Sequence, residues 1–290
     1  MYYLLNLLSF FFRFLPRKIA LMVGRTLGLF IFYVYPLRKS IALTNLKIAF
    51  PEYDYKKRLS ILKKSYTHYG MVFIDFFRLP TIKQKFNEKI VSIPQNNLDF
   101  MKTNPGGIIM SAHIGNWEYI GPTLSNHKIR SVGIAAIQKN SNSNKFFNKL
   151  RSSKYMKVLP VNCGSKMMIE HILNGCYIGL ISDQNAGIKG TNALFFNKAV
   201  SVPKGAAAFH LKTNTPILLG FCILRKNLNY ELSFEKLNLK ELPNNSNDAI
   251  MEINKRFTKI LEKEIIKYPE QYFWFHRKWD KKYYKGISKY

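Results

Sequence analysis

The chain has 290 residues, 47% of them hydrophobic, so it can bury the core of one large domain or two small ones. This composition excludes a disordered chain. Lysine and arginine outnumber aspartate and glutamate by 45 to 17, which gives a formal net charge of +28. This charge exceeds what solubility requires, so we expect an anionic partner, either nucleic acid or an anionic lipid surface.

Two apolar segments begin the chain. Residues 2–15 are almost all apolar, and residues 19–37 form a second apolar run that Arg25 interrupts. The first run is shorter than the roughly 20 residues that a transmembrane helix needs, and the second contains a charge. We therefore predict a membrane-attached helical hairpin over residues 1–39, followed by an α/β domain over residues 40–290.

A cleaved signal peptide or a single spanning helix would also account for the apolar segments. Against the signal peptide, no basic segment precedes the apolar stretch and no small-residue cleavage pattern follows it. A single spanning helix remains an alternative because hydropathy alone does not fix the depth of a segment in a bilayer. Basic residues near the two segments would then keep the following domain cytoplasmic: Arg17, Lys18, Arg38, Lys39 and Lys47.

From Gly106 onwards, apolar runs bounded by Gly, Asn and Pro alternate with helical patterns. The predicted buried strands are residues 107–112, 131–137, 156–161, 177–182 and 217–224. The predicted helices are residues 118–124, 144–153, 166–174, 204–212 and 248–268. This alternation predicts an α/β fold with a mostly parallel central sheet flanked by helices, and residues 230–237 alternate as an antiparallel edge strand would.

The cysteines give no sign of a disulfide framework or a zinc site. Cys163, Cys176 and Cys222 are odd in number, widely spaced and set in apolar surroundings. We expect three buried free thiols and no bound metal.

The residues that most clearly indicate chemistry follow the first predicted strand. This strand ends at Ala112, His113 lies in the turn at its carboxyl end, and Glu118 falls in the first turn of the next helix. Open α/β sheets place their sites at this edge. A nearby carboxylate can hold one ring nitrogen of a histidine while the other nitrogen accepts a proton from a hydroxyl. We predict His113 as general base and Glu118 as its partner; the alternative is a helix cap and a surface charge.

The segment from His113 to Glu118 has the histidine, four residues and acid of the glycerolipid acyltransferase superfamily. The chain most resembles the lipid A late-acyltransferase branch, the lauroyl and myristoyl transferases. Further motifs of that branch occur in the same order along nearly the whole chain, at residues 15–18, 41–52, 150–151, 183–187, 195–196 and 269–279. Several motifs in order are more specific than any one of them.

The resemblance implies a glycerol-3-phosphate acyltransferase-like sheet and a reaction on the cytoplasmic face of the bacterial inner membrane. His113 would take a proton from a hydroxyl of a lipid A precursor, which then attacks the thioester of an acyl carrier protein or of coenzyme A. Glu118 would orient His113 and stabilise its charge. No covalent acyl-enzyme and no cofactor are needed.

Arg151 and Asp183 complete the predicted catalytic set. Arg151 resembles an arginine of the family and could stabilise oxyanion charge or a lipid phosphate; the alternative is a solvated charge on a helix. Asp183 follows another predicted strand, and Asn185 stands where the family usually has a second aspartate. Asp183 is therefore either a catalytic residue or a cap of the active-site loop.

Six residues are predicted to bind substrate: Asn116, Trp117, Gln184, Trp274, His276 and Arg277. The last three belong, with Trp279, to a C-terminal segment that mixes aromatic and cationic side chains, a composition suited to a membrane interface that holds lipid phosphates. The alternative for this segment is a packed structure with a basic rim.

The sequence leaves several functions open. A lipid acyltransferase explains the histidine and acid, the apolar N-terminus and the basic charge together, because an acidic carrier protein and an anionic lipid would both be attracted. Its acceptor could instead be a phosphatidylinositol mannoside, an ornithine lipid or a lysophospholipid. A nucleic-acid-binding protein would explain only the charge, and no signature of one is visible. A non-enzymatic membrane scaffold would leave His113 and Glu118 without a role. We therefore expect a membrane, a carrier protein and an anionic lipid acceptor as partners, and no nucleic acid.

Overall fold

The computed structural model describes residues 1–84 and 90–287. The first helices are α1 (Tyr2–Phe14), α2 (Arg17–Tyr33), α3 (Lys39–Ala49), α4 (Tyr55–Phe77), α5 (Leu79–Gln84) and α6 (Gln95–Thr103). The later helices are α7 (Ile120–Asn126), α8 (Ser141–Arg151), α9 (Ser165–Leu173), α10 (Gly205–Thr213) and α11 (Ser246–Lys267). The strands are β1 (Val91–Ser92), β2 (Gly107–Ser111), β3 (Ser131–Ala135), β4 (Met156–Pro160), β5 (Tyr177–Ile181), β6 (Thr191–Phe195), β7 (Lys198–Val202), β8 (Ile217–Leu224) and β9 (Tyr230–Lys236).

Seven strands form the central sheet, in the order β1-β9-β8-β2-β5-β3-β4. Neighbouring strands are parallel except for β8 and β9, which are antiparallel. The predicted α/β class with a mostly parallel sheet is therefore confirmed. In this order β2 and β5 are neighbours, so the segments that follow them leave the sheet side by side.

The central strands are mostly apolar because both faces of the sheet are covered. In β2, Ile108 and Met110 belong to a core that includes α10, α11 and the C-terminal segment. Ile109, between them, belongs to a second core on the other face, which includes residues of α5, α6, α7 and α8. Alternate side chains thus enter two different cores, which explains the continuous apolar runs.

Two features differ from the sequence-based expectation. Strand β9 is antiparallel to β8 as predicted, but it is not the edge of the sheet, because the short strand β1 pairs on its outer side. The hairpin of β6 and β7 stands outside the central sheet and was not predicted. Its residues Thr191, Asn192 and Ala193 lack the apolar signal of a buried strand.

The N-terminal helices pack on the rest of the protein through a close helix crossing. Gly24 and Gly28 of α2 face Gly70 of α4, and a Cβ added at Gly28 would lie 2.2 Å from the carbonyl oxygen of Tyr66. Only glycine allows two helix backbones to approach this closely. Among the residues described, no helix combines the length and the hydropathy that crossing a bilayer requires.

Candidate functional site

The main chain around His113 is held in place by two other parts of the protein. The carbonyl oxygen of His113 accepts hydrogen bonds from the backbone N–H of Phe273, at 2.9 Å, and from Tyr69 Oη, at 3.0 Å. Two residues on, Gly115 has φ +61°, and a Cβ there would lie 2.0 Å from the carbonyl oxygen of Cys222. Glycine is therefore required at this position for conformation and for space, and the turn that carries His113 is tightly constrained.

The imidazole of His113 is paired with Asp183, which follows β5. Nδ1 of His113 lies 2.7 Å from Oδ1 of Asp183, whose side chain is 3% exposed. Burial acts to raise the pKa of Asp183, but the charge and hydrogen bond of His113 and the charge of Lys278 outweigh it and lower the pKa to about 2. An ionised carboxylate only accepts hydrogen bonds, so the ring proton is on Nδ1 and Nε2 is left as the base.

The prediction that Glu118 holds His113 is wrong. Glu118 instead accepts two hydrogen bonds from Arg151, at 2.8 Å from Nε and 2.6 Å from Nη2. The 3₁₀ turn Trp117–Tyr119 explains the difference, because it brings Trp117 beside the histidine, with ring centroids 4.7 Å apart. Glu118 and His113 line the same cavity, but from separate hydrogen-bonded pairs.

Arg151 ends α8 as part of this ion pair rather than as a solvated charge. Its side chain is 21% exposed, and its guanidinium lies 5.2 Å from the ring centroid of Phe76. Burial acts to lower the pKa of Arg151, but the hydrogen bonds and charge of Glu118 raise it. A charged guanidinium thus lines the cavity next to Glu118.

Gln184 and His276 complete the polar surroundings of the histidine. Nε2 of Gln184 lies 3.3 Å from Nε2 of His113 and 2.9 Å from Nε2 of His276. Burial first, and then the charge of His113, lower the pKa of His276 to about 4. His276 is therefore neutral near pH 7 and can accept a hydrogen bond from the Gln184 amide.

A cavity of about 430 Å³ adjoins these polar groups. Its polar lining includes His113, Glu118, Arg151 and Gln184, and Trp117 lies with them. The remainder is mostly apolar and comes from α7 and from the strands β2, β3, β4 and β5. A histidine base at one part of an otherwise apolar cavity suits a substrate that joins a reactive polar group to a hydrocarbon chain.

Two substrate-binding predictions are wrong because the side chains are fully buried elsewhere. Trp274 is 0% exposed, and its Nε1 donates to the carbonyl oxygen of Pro269 at 2.7 Å. Asn116 is also 0% exposed and does not line the cavity. Trp279 is buried as well, so the tryptophans of the C-terminal segment belong to the core and not to an interface. Arg277 is partly exposed and does not line the cavity.

Lys278, which was not predicted from the sequence, contacts Asp183. Its side chain is buried, and Nζ donates to the main-chain carbonyl oxygen of Asp183. Burial lowers the pKa of Lys278 to about 8, although the charge of Asp183 opposes this. In the sequence, Lys278 follows Arg277 and looks like part of a basic rim, so no local signal distinguishes it.

None of the three cysteines lines the cavity beside His113. Cys222 is buried, whereas Cys163 and Cys176 are partly exposed, so the expectation of buried thiols holds only for Cys222. Burial raises the pKa of Cys222 far above its usual value, so its thiol is protonated. Within residues 1–84 and 90–287, no group of three or more His, Cys, Asp or Glu side chains could hold a metal ion.

Comparison with known proteins gives one family and two similar proteins. Residues 1–281 match the family described as bacterial lipid A biosynthesis acyltransferase. The chain is similar to a lipid A biosynthesis palmitoleoyltransferase of Escherichia coli (strain K12) and to a lipid A biosynthesis acyltransferase of Shigella flexneri. In each case the identity is 22% over 279 residues, which covers 91% of this chain and 86% of the similar protein.

Proposed function

Since the chain belongs to the bacterial lipid A biosynthesis acyltransferase family, we propose that it transfers a fatty acyl chain from an acyl carrier protein thioester to a hydroxyl of a lipid A precursor. The observation that carries this proposal is the pairing of His113 with Asp183 beside a largely apolar cavity. Coenzyme A is the alternative donor. The strong positive charge of the chain favours the acidic carrier protein and the anionic acceptor.

In the proposed reaction, His113 acts as a general base through Nε2. The acceptor hydroxyl gives its proton to Nε2, and its oxygen attacks the carbonyl carbon of the thioester. Asp183 stabilises the imidazolium that forms. When the tetrahedral intermediate collapses, the C–S bond breaks and the imidazolium returns the proton to the leaving thiolate. No acyl-enzyme forms, and His113 ends the cycle in its starting state.

We assign Arg151 to the charge that develops on the thioester oxygen or to a phosphate of the lipid. Its Nε and Nη2 groups bond to Glu118, and we assign the remaining N–H groups of this guanidinium, which lines the cavity, to the substrate. Glu118 then positions the guanidinium of Arg151 and not the imidazole of His113. Gln184 and His276 supply neutral polar groups close to Nε2 of His113, where the acceptor hydroxyl must lie.

We also propose that α1 and α2 attach the protein to the cytoplasmic face of the bacterial inner membrane as a hairpin in one leaflet. In α1, Tyr2, Leu5 and Phe12 pack against the core. The opposite side is exposed and also apolar, with side chains at helical spacing: Leu4 at 55%, Leu7 at 63%, Phe11 at 55% and Phe14 at 72%. A helix that is apolar on both sides favours protein on one side and lipid on the other.

The proposal is tested by incubating the full-length protein with an acyl carrier protein thioester and separate lipid acceptors, followed by mass spectrometry. The acceptors are a lipid A precursor with a free hydroxyacyl hydroxyl, a phosphatidylinositol mannoside, an ornithine lipid and a lysophospholipid. We expect the mass of one acyl group to be added to the lipid A precursor, and no addition with the His113→Ala variant. Full activity of that variant, or a clear preference for another acceptor, would contradict the proposal.

A further inference from the structure

The cavity follows the strands from the site toward their opposite ends. Ser111 and Ala135 line it near the carboxyl ends of β2 and β3, close to His113. Ser131 and Met156 line it at the amino ends of β3 and β4, where they are partners in the sheet. A strand rises about 3.3 Å per residue, so the distance from Ala135 to Ser131 is ~13 Å. The cavity is therefore a channel that leads away from the reactive groups under α7.

Two glycines form the middle of this channel. Gly133 of β3 and Gly179 of β5 are directly paired in the sheet, and both line the cavity. Neither has a positive φ. A Cβ added at Gly179 would meet nothing closer than 3.8 Å, and one added at Gly133 would lie 3.4 Å from Cε of Met156. Neither backbone conformation nor protein packing requires glycine here.

Glycine weakens the interior of a strand, so a pair that packing does not require needs another explanation. Any larger side chain at Gly133 or Gly179 would project into the channel. The missing side chains therefore provide room for a ligand that lies flat on the sheet. A hydrocarbon chain fits a surface of this kind, because the neighbouring lining residues, Ile109 and Val158, are apolar.

Met156 lines the far end of the channel, at the amino end of β4. It is 8% exposed, and its side chain extends from β4 to α7. There it contacts Gly121 so closely that a Cβ added to Gly121 would lie 2.1 Å from the sulfur of Met156. Leu124 of α7 lines the same end. A methionine side chain is flexible, but here its sulfur is packed against Gly121, so it occupies space at this end of the channel.

We propose that Met156, packed against Gly121, is the floor of the acyl-chain channel and sets the length of the chain that is transferred, while Gly133 and Gly179 keep the channel open above it. This inference rests on the proposed function, in which the thioester carbonyl lies beside His113. From that point the hydrocarbon of the donor extends along the sheet until it meets Met156. Chain length is then decided by the distance between His113 and Met156.

The test is a competition between acyl carrier protein thioesters whose saturated chains differ in steps of two carbons. The transferred chains are identified by mass spectrometry, and the ratio of kcat/KM values is measured for neighbouring lengths. We expect Met156→Ala to shift the preferred length upward and Gly179→Val to shift it downward. Each two-carbon step should change the ratio by roughly tenfold, as expected from burial of methylene groups.

Met168→Ala is the matched control, because Met168 is also buried, at 7%, but belongs to the core on the other face of the sheet. Met168→Ala should lower the stability of the protein without changing the length of the acyl chain that is transferred. Met156→Phe keeps the volume of the side chain high, and we expect it to shorten the preferred chain even if Met156→Ala fails to fold.

The outcomes separate this inference from the proposed function. Absence of acyl transfer by the unmodified protein would contradict the proposed function itself. Transfer with an unchanged length distribution in the Met156→Phe and Gly179→Val variants would overturn the inference alone. The inference would also be overturned if the variants changed the selectivity for the acyl chains of the acceptor and not of the donor, because the channel would then hold the acceptor.

Discussion

The carboxylate of Asp183 lies 2.7 Å from Nδ1 of His113, although the two residues are 70 positions apart in the chain. The contact forms because β2 and β5 are parallel neighbours, so the segments that follow them leave the sheet together. Asp183 is in turn held at its main-chain carbonyl by Lys278. His113, Asp183 and Lys278 thus come together from three separate parts of the sequence.

Replacing Asp183 by asparagine removes the negative charge and keeps the size of the side chain. A neutral amide at this position can no longer stabilise an imidazolium, so we expect kcat for acyl transfer to fall by roughly 10²- to 10⁴-fold. The measurement is steady-state transfer to the lipid acceptor, with thermal unfolding to show that the variant is folded. Asp99→Asn, which changes an exposed carboxylate on α6, is the control. A loss of less than threefold would mean that Asp183 only caps its loop.

Glu118 and Arg151 form one functional pair, which a double-mutant cycle can test. We expect Glu118→Ala to lower turnover strongly while the protein stays folded, because Arg151 then loses its position. Removal of both side chains should cost less than the sum of the single losses, with a coupling of about 0.5–3 kcal/mol. The measurement is kcat/KM for the two single variants and the double variant. If the effects of the two substitutions simply add, Glu118 acts independently of Arg151.

Stability should depend on pH through Lys278. Burial lowers its pKa from 10.5 to about 8, so between these values the unfolded chain binds a proton that the folded protein has lost. The free energy of unfolding should therefore increase with pH across this range. Below it, Lys278 is protonated in both states and contributes no pH dependence. Chemical denaturation at a series of pH values measures this. In Lys278→Met the rise should be absent, whereas persistence of the same slope would assign it to another group.

The exposed apolar side of α1 can be tested by flotation with vesicles that contain an anionic phospholipid. Burying each of Leu7, Phe11 and Phe14 in lipid would contribute about 1.5–3 kcal/mol, so changing all three to serine should weaken vesicle binding at least ~10-fold. The control is Leu173→Ser, which changes an equally exposed leucine on α9, 66% accessible. Equal flotation of the triple variant and the unmodified protein would exclude α1 as the attachment surface.

The strands and the position of His113 could be predicted because each depends on a short stretch of sequence. Strands such as β2 and β8, buried on both faces, are continuous apolar runs, and the turn after such a strand is where sites of open sheets lie. The partner of His113 could not be predicted in the same way. It depends on the order of the strands in the sheet, which no short stretch of sequence records.

The C-terminal segment shows a second limit of predicting structure from amino-acid composition. Aromatic and basic residues mixed in one segment suit a membrane interface, but they equally suit a segment whose tryptophans are in the core. The structure has the second arrangement, with Trp274 and Trp279 buried. Lys278, which lies between these tryptophans in the sequence, is buried where its neighbour Arg277 is not. Which of two adjacent cations faces inward is decided by tertiary packing, in this case by the carbonyl group of Asp183.

The glycine crossing of α2 and α4 has a consequence for how the enzyme would meet a lipid. Gly70, at which α2 contacts α4, is adjacent to Tyr69, whose hydroxyl binds the main chain of His113. At these glycines the two helices touch backbone to backbone, so no side chain lies between them there to absorb a displacement. Whatever surface fixes α2 therefore also fixes the height of the imidazole above that surface. If α2 lies in a leaflet as proposed, a hydroxyl would be acylated only where it emerges at that height, and the depth of the acceptor in the leaflet would then be a criterion of its selection.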